Sequence, residues 1–160
     1  MGTEERKRAE RMCELNALYK KYDYLYRGVA GRFGLSDAAL GILYFVRMAD
    51  GACSQSEICS LMMHSKQTVN SAIKKLEEEG LLVLACGEGN KKNKLITLTA
   101  AGAALAEKTA DRVIRAEQAA LAGLTEEEQG IFLKLFAGFV GRLETEMDAL
   151  REAHEEEASE

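Results

Sequence analysis

Gln67, Asn70, Ser71 and Lys74 recur at helical spacing within KQTVNSAIKKLEEEG and place amides, a hydroxyl and an ammonium on one side of that segment. Such groups suit the major groove, where amides and hydroxyls meet base edges and a cation holds the phosphate backbone. Val69, Ala72, Ile73 and Leu76 recur at i, i+3, i+4 and i+7 on the opposite side. One helix therefore has a face to pack and a face to present. A merely solvated polar face is the plain alternative, and it would more often carry Glu and Lys pairs.

A second group of cations follows Gly80. LLVLAC and LITL read as strands on either side of GEGNKKNK, a glycine- and asparagine-rich hairpin tip. Lys91, Lys92 and Lys94 gather charge there, where flexible ammoniums could rest on phosphates or enter a minor groove, an anchoring contact that carries little sequence information. Other chemistry is not assembled. The chain has no glycine-rich phosphate cradle, no HExxH, and no Ser or Cys with a base at recognisable spacing. Cys13, Cys53, Cys59 and Cys86 are scattered without a Cys-x-x-Cys pair, so neither a metal nor a cofactor is expected, and reduced, mostly buried thiols are the default. His64 falls in a turn, as a turn residue or phosphate contact, and His154 lies near the end of the chain.

Capping signals delimit the elements that must hold the polar face. Ser54 with Glu57 forms a capping box, followed by Ile58, Leu61 and Met62 as a short apolar stripe. Met63, His64 and Ser65 make a tight connection, with Ser65 as N-cap of the next helix and Gly80 as its C′ stop. This is a helix-turn-helix followed by a β-wing, and Ser54 and Gln55 at the start of its first helix join the candidate DNA contacts. Towards the N-terminus, Leu15, Leu18, Tyr22, Leu25 and Val29 follow alternating three- and four-residue steps, broadened by Tyr19 and Tyr26. Thr99 to about Ala122 reads as one long Ala-rich helix with Leu105, Val113 and Ile114 as its bulky apolar residues. A second capping box, Thr125 with Glu128, leads into Phe132, Leu135, Phe136, Phe139, Val140, Leu143, Met147 and Leu150. The outer helices carry more apolar surface than a small helix-turn-helix can cover, which points to a dimer; a monomeric helical bundle is the alternative.

At 160 residues, 47% of them hydrophobic, the chain suffices for one domain or a small domain with a helical dimerisation layer. No apolar run is long enough for a membrane span, and MGTEERKRAERM lacks a signal-peptide core, so a cytoplasmic protein is expected. The net charge of −5 looks wrong for a DNA binder, but LEEE before Gly80 and EAHEEEASE at the end carry much of the acid. Local charge near Lys66, Lys74 and the wing matters more than the sum. Residues 151–160 read as an acidic, frayed tail.

The order of helix, helix-turn-helix, wing and LITLTAAG, with long helices at both ends, resembles the MarR (multiple antibiotic resistance regulator) family of bacterial transcription factors. The resemblance runs from about Leu15 to Leu150 and is most specific in KQTVNSAIKKLEEEGLL and the LTAAG that closes the wing. It implies a mainly α fold with a small β-wing, in which residues 35–99 form the winged helix-turn-helix and residues 1–34 and 100–150 a helical dimerisation region. It also implies a homodimer whose recognition helices enter successive major grooves while the wings reach neighbouring minor grooves. By position this assigns Ser65, Lys66, Gln67, Thr68, Asn70, Ser71 and Lys74 to the groove, and Lys91, Lys92 and Lys94 to the wing contact. Asn90 and Lys92 stand where the family commonly has an Asp and an Arg two residues apart, so the usual ion pair bracing the wing is lost. The family further implies an effector pocket, for which Tyr22, Tyr26, Phe33, Tyr44 and Met48 are candidates, although such aromatics also simply fill cores. Cys13 is the position that could sense oxidants as some members do. The function implied is a ligand-responsive repressor binding double-stranded DNA at a pseudo-palindrome; a winged-helix protein-interaction module without DNA binding is the alternative.

Overall fold

In the computed structural model, residues 2–62, 64–86 and 94–157 are described, apart from the side chains of Cys86 and of residues 153–157. The chain divides into two compact units, residues 1–114 and 115–160.

The first unit is organised around α3 (Asp37–Met48), whose N-cap Ser36 accepts the Ala39 N–H at 3.1 Å. Its apolar residues Ile42, Leu43 and Val46 are completely buried. Ile42 and Val46 share a cluster with Val69, Ile73 and Leu76 of α5 (Lys66–Glu78), Ile58 of α4 (Gln55–Leu61) and the strand residues Leu82 and Ile96. Each such side chain contributes roughly 1.5–3 kcal/mol by leaving water. Leu43 turns to a second cluster with Ala106 and Ala110. Leu61, expected in the apolar stripe of α4, is instead 54% exposed, while Met62 just beyond the helix is buried.

The sheet has three strands rather than the two that the wing pattern suggests. β1 (Ala52–Ser54), β2 (Leu82–Cys86) and β3 (Lys94–Leu98) are antiparallel in the order β1-β3-β2, with Ile96 opposite both Cys53 and Leu84. A strand of three residues is too short to show alternation, and β1 exists because β3 offers it a free edge.

Around this body, α1 (Thr3–Tyr26) buries no residue. Gly28, at φ 75°, separates it from α2 (Val29–Arg32), so Val29 does not continue the apolar seam of α1. The expected single helix from Thr99 to Ala122 is also two, α6 (Ala100–Lys108) and α7 (Ala110–Leu121). They meet at Thr109, where φ is −126° and ψ −85°. Thr109 is 3% exposed, donates its hydroxyl to the Leu105 carbonyl at 2.7 Å and its N–H to Ala106, and so satisfies the broken turn locally.

In the second unit, α8 (Glu126–Glu157) begins at the expected capping box, with Glu128 donating its N–H to the Thr125 hydroxyl and accepting the Thr125 N–H. Gln129 donates to the carbonyls of Leu121 and Leu124 and so closes the preceding turn. The helix continues to Glu157, past Leu150 where fraying was expected, since Ala and Glu sustain a helix without packing. Phe132 stacks on Phe136 along the helix at 5.9 Å, yet Phe132, Leu135, Val140, Leu143, Met147 and Leu150 are all exposed. No single helix among the described residues is long and apolar enough to cross a membrane.

The junction of wing and α6 leaves no room for a methyl group. A Cβ on Gly102 would stand 1.7 Å from the Leu81 carbonyl oxygen, whereas one on Gly130 in α8 meets nothing within 4 Å. Gly102→Ala is therefore expected to lower stability by about 1–3 kcal/mol. Gly130→Ala should raise it by about 0.5–1 kcal/mol, and urea denaturation of both variants checks the opposite signs.

Candidate nucleic-acid interface

α5 is framed by two well-satisfied ends. At its start Ser65 accepts the Thr68 N–H at 3.1 Å, and the Ser65 and Thr68 hydroxyls are 2.8 Å apart, so both are engaged in the cap. At its end Gly80, at φ 68°, donates to the Glu77 carbonyl while Leu81 donates to that of Leu76, a Schellman turn. Between these ends Lys66, Gln67, Asn70, Ser71 and Lys74 are exposed, opposite the buried Val69, Ala72, Ile73 and Leu76. The face expected to read DNA is thus the face that the core leaves outside.

Charge along α5 is segregated. Lys74 lies 3.6 Å from Glu78 and Lys75 3.9 Å from Glu79, both as exposed pairs one turn apart. Such pairs are worth only about 0–1 kcal/mol, so a phosphate can recruit either lysine. The acid of Glu77, Glu78 and Glu79 sits about three turns along the helix from Lys66.

α4 brings a second set of polar groups beside α5. Ser54, expected both as a cap and as a DNA contact, is buried at 7% exposure and caps α4, its hydroxyl accepting the Glu57 N–H at 3.2 Å. Gln55, the next residue, is half-buried and donates its Nε2 to the Asn70 Oδ1 at 2.7 Å. An open cleft of about 440 Å³ results, lined by Gln55, Ser56 and Ser60 of α4, Lys66 and Asn70 of α5, and Lys94 of β3. Ser56 and Ser60 were missed from sequence, although their spacing puts them on one side of a helix whose Ile58 faces the core. Lys94 joins this cleft, and Lys91 and Lys92 lie outside the described residues.

The remaining candidates fall elsewhere. Cys13 is exposed on α1. Cys53 is buried, and that burial, reinforced by the neighbouring Glu57 carboxylate, pushes its thiol up and away from reactivity. Tyr22 and Tyr26 pair along α1 with ring centroids 4.9 Å apart, Tyr44 meets Phe45 edge-on at 5.3 Å, and Met48 is exposed. The Arg112 guanidinium lies 5.9 Å above the Phe33 ring. Nearby, Arg47 of α3 makes a two-pronged ion pair with Asp111 of α7, its Nε donating to Oδ1 at 2.7 Å and its Nη2 to Oδ2. That hydrogen bonding raises the Arg47 pKa further above neutrality and fixes α3 to the start of α7.

Comparison with known proteins agrees with this geometry. Residues 33–90 match the family model for the MarR family. The chain is 32% identical over 108 residues to the HTH-type transcriptional regulator YwoH of Bacillus subtilis, covering 68% of this chain and 77% of that protein. Its fold is similar to that of NMB1585, a MarR family regulator from Neisseria meningitidis, with TM-score 0.70 at 21% identity over 89% of this chain and 97% of that one. It is also similar to BpsR of Bordetella bronchiseptica, whose DNA binding is regulated by 6-hydroxynicotinic acid, with TM-score 0.56 at 21% identity over 79% and 98% of the chains.

Protonation of Glu57 would weaken the α4 cap. The Ser54 side chain, then its backbone N–H, holds the Glu57 carboxyl below the usual glutamate range. A depressed carboxyl stabilises the fold above its unfolded pKa and loses that contribution as pH falls through the folded one. Thermal unfolding midpoints should therefore fall as pH drops below the ordinary glutamate range, and less steeply in Glu57→Gln, which is less stable at neutral pH.

Proposed function

Because the chain belongs to the MarR family of transcriptional regulators, we propose that it binds a pseudo-palindromic operator as a homodimer, represses the adjoining promoter and responds to a small-molecule effector. The observation that carries this reading is the convergence of Gln67, Asn70 and Ser71 on the exposed face of α5 with Lys66 and Lys94 at the neighbouring cleft. Amides and a hydroxyl supply base-edge contacts; the lysines supply the phosphate attraction that makes binding fall with salt through counterion release. Lys91 and Lys92 would extend that attraction into the wing, as phosphate anchors without the planar fork by which Arg reads a narrow groove.

Dimerisation is supported by what the single chain leaves uncovered. Leu18, Tyr22 and Leu25 of α1 are each at least 60% exposed, and Leu135 and Leu150 of α8 are 68% and 65% exposed. Exposed apolar helix faces of this kind suit an interaction site, and a second copy is the partner for both helices. A dimer sets the spacing of its recognition helices at about one helical turn of DNA, so an effector that altered that spacing would release the operator. Tyr22, Tyr26, Phe33, Tyr44 and Met48 are the proposed effector contacts, Cys13 a proposed oxidant-sensitive thiol, and the cytoplasm the proposed location.

Selection from a random duplex library should enrich a palindrome, and Gln67→Ala/Asn70→Ala should abolish the enrichment while leaving the fold intact by circular dichroism. Lys91→Ala/Lys92→Ala should weaken binding evenly across sequences and flatten the salt slope by about two counterions. A folded dimer that enriches nothing at low salt would instead indicate a protein-binding winged helix. In light scattering, Leu18→Glu/Leu25→Glu is expected to yield monomers with operator affinity at least about tenfold lower, since each recognition helix would then bind alone.

A further inference from the structure

Asn70 and Gln55 form a hydrogen-bonded pair across two helices, and the chemistry of that pair restricts what Asn70 can read. An asparagine that recognises adenine does so with both ends of its amide, accepting from N6 and donating to N7. Here one of the two lone pairs of the Asn70 Oδ1 already accepts from the Gln55 Nε2 at 2.7 Å, which ties the oxygen to α4. With the oxygen turned to Gln55, the planar carboxamide directs its Nδ2 hydrogens to the other side, on an exposed residue that shares its face with Gln67, Ser71 and Lys74. The surroundings favour this sense of the bond over its reverse. Gln55 lines the same cleft as Lys66 and Lys94, so it gains by turning its own Oε1 towards the ammoniums and its Nε2 towards Asn70. Its backbone has little freedom to do otherwise, because it follows the Ser54 cap, which is closed on both sides by Glu57.

We propose that Gln55 is a positioning residue that holds the Asn70 amide with Nδ2 outward and so biases it towards guanine, whose N7 and O6 both accept, over adenine at the base pair it contacts. This rests on the operator-binding reading above and adds to it the identity of one operator base and the residue that decides it. The side chain that chooses the base thus lies on the first helix of the helix-turn-helix, outside the recognition helix.

The test measures affinity for operator duplexes carrying each of the four base pairs at every half-site position, using the full-length wild type, Asn70→Ala, Gln55→Ala and Gln55→Glu. The position Asn70 reads is the one at which Asn70→Ala loses discrimination. There the wild type should prefer guanine over adenine by about tenfold. In Gln55→Ala the freed amide should shift the preference towards adenine. In Gln55→Glu the new carboxylate can only accept, so Asn70 must give it Nδ2 and turn Oδ1 outward. That variant should bind all duplexes more weakly but now favour a base that donates, adenine or cytosine. A role for Gln55 in folding alone would lower affinity without changing the preferred base. The inference is overturned, with operator binding intact, if both Gln55 variants keep the wild-type preference or if no position loses discrimination in Asn70→Ala. Absence of any sequence preference in the wild type would overturn the operator reading itself.

Discussion

One helix, α5, has to satisfy an apolar interior and an aqueous, polar exterior at once, and the rest of the first unit holds it in that orientation. Val69, Ile73 and Leu76 are locked against Ile42 and Val46 of α3 and against Leu82 and Ile96 of the sheet. Turning α5 by one residue's arc would bring Asn70 or Lys74 into that cluster, and burying an unpaired amide or ammonium there would cost several kcal/mol. The outward direction of the polar face is therefore a by-product of packing. Polar residues there can vary with the target while the buried positions hold them in place.

The ends of α5 are as constrained as its middle. Its N-terminal cap engages the hydroxyls of both Ser65 and Thr68. At the other end Thr99 serves as a small hub: its hydroxyl donates to the Gly80 carbonyl at 2.7 Å and accepts the Gly102 N–H at 3.1 Å, while its own N–H donates to Leu81. The end of the recognition helix, the start of the wing and the start of α6 thereby share one hydrogen-bonded residue. Together with the Arg47–Asp111 ion pair from α3 to α7, this links α3 and α5 to α6 and to the start of α7.

The acidic chain and the basic site are compatible because charge acts over short range. At physiological salt the screening length is about 8 Å, so the carboxylates of Glu77, Glu78 and Glu79, at the far end of α5, are attenuated at the Lys66–Lys94 cleft. The net charge of −5 does not set what the cleft attracts.

Local signals were legible in the sequence wherever a residue type has one dominant use. Capping boxes at Ser54 and Thr125, the N-cap at Ser65, the left-handed stop at Gly80 and the two-faced period of α5 all rest on interactions within a few residues, and each appears where its pattern places it. Family membership was legible for the same reason, because the helix-turn-helix is a chain of such local signals. What tertiary structure alone decided needed a partner distant in sequence. β1 forms only against β3, and Leu61 lies outside a core that Met62 enters. Ser54 became a buried cap, and Gln55 became the partner of an amide on another helix. Sequence periodicity assigns a side chain to a face, but only the folded chain determines which of its lone pairs and hydrogens are already taken, because those partners come from elements that the period does not relate.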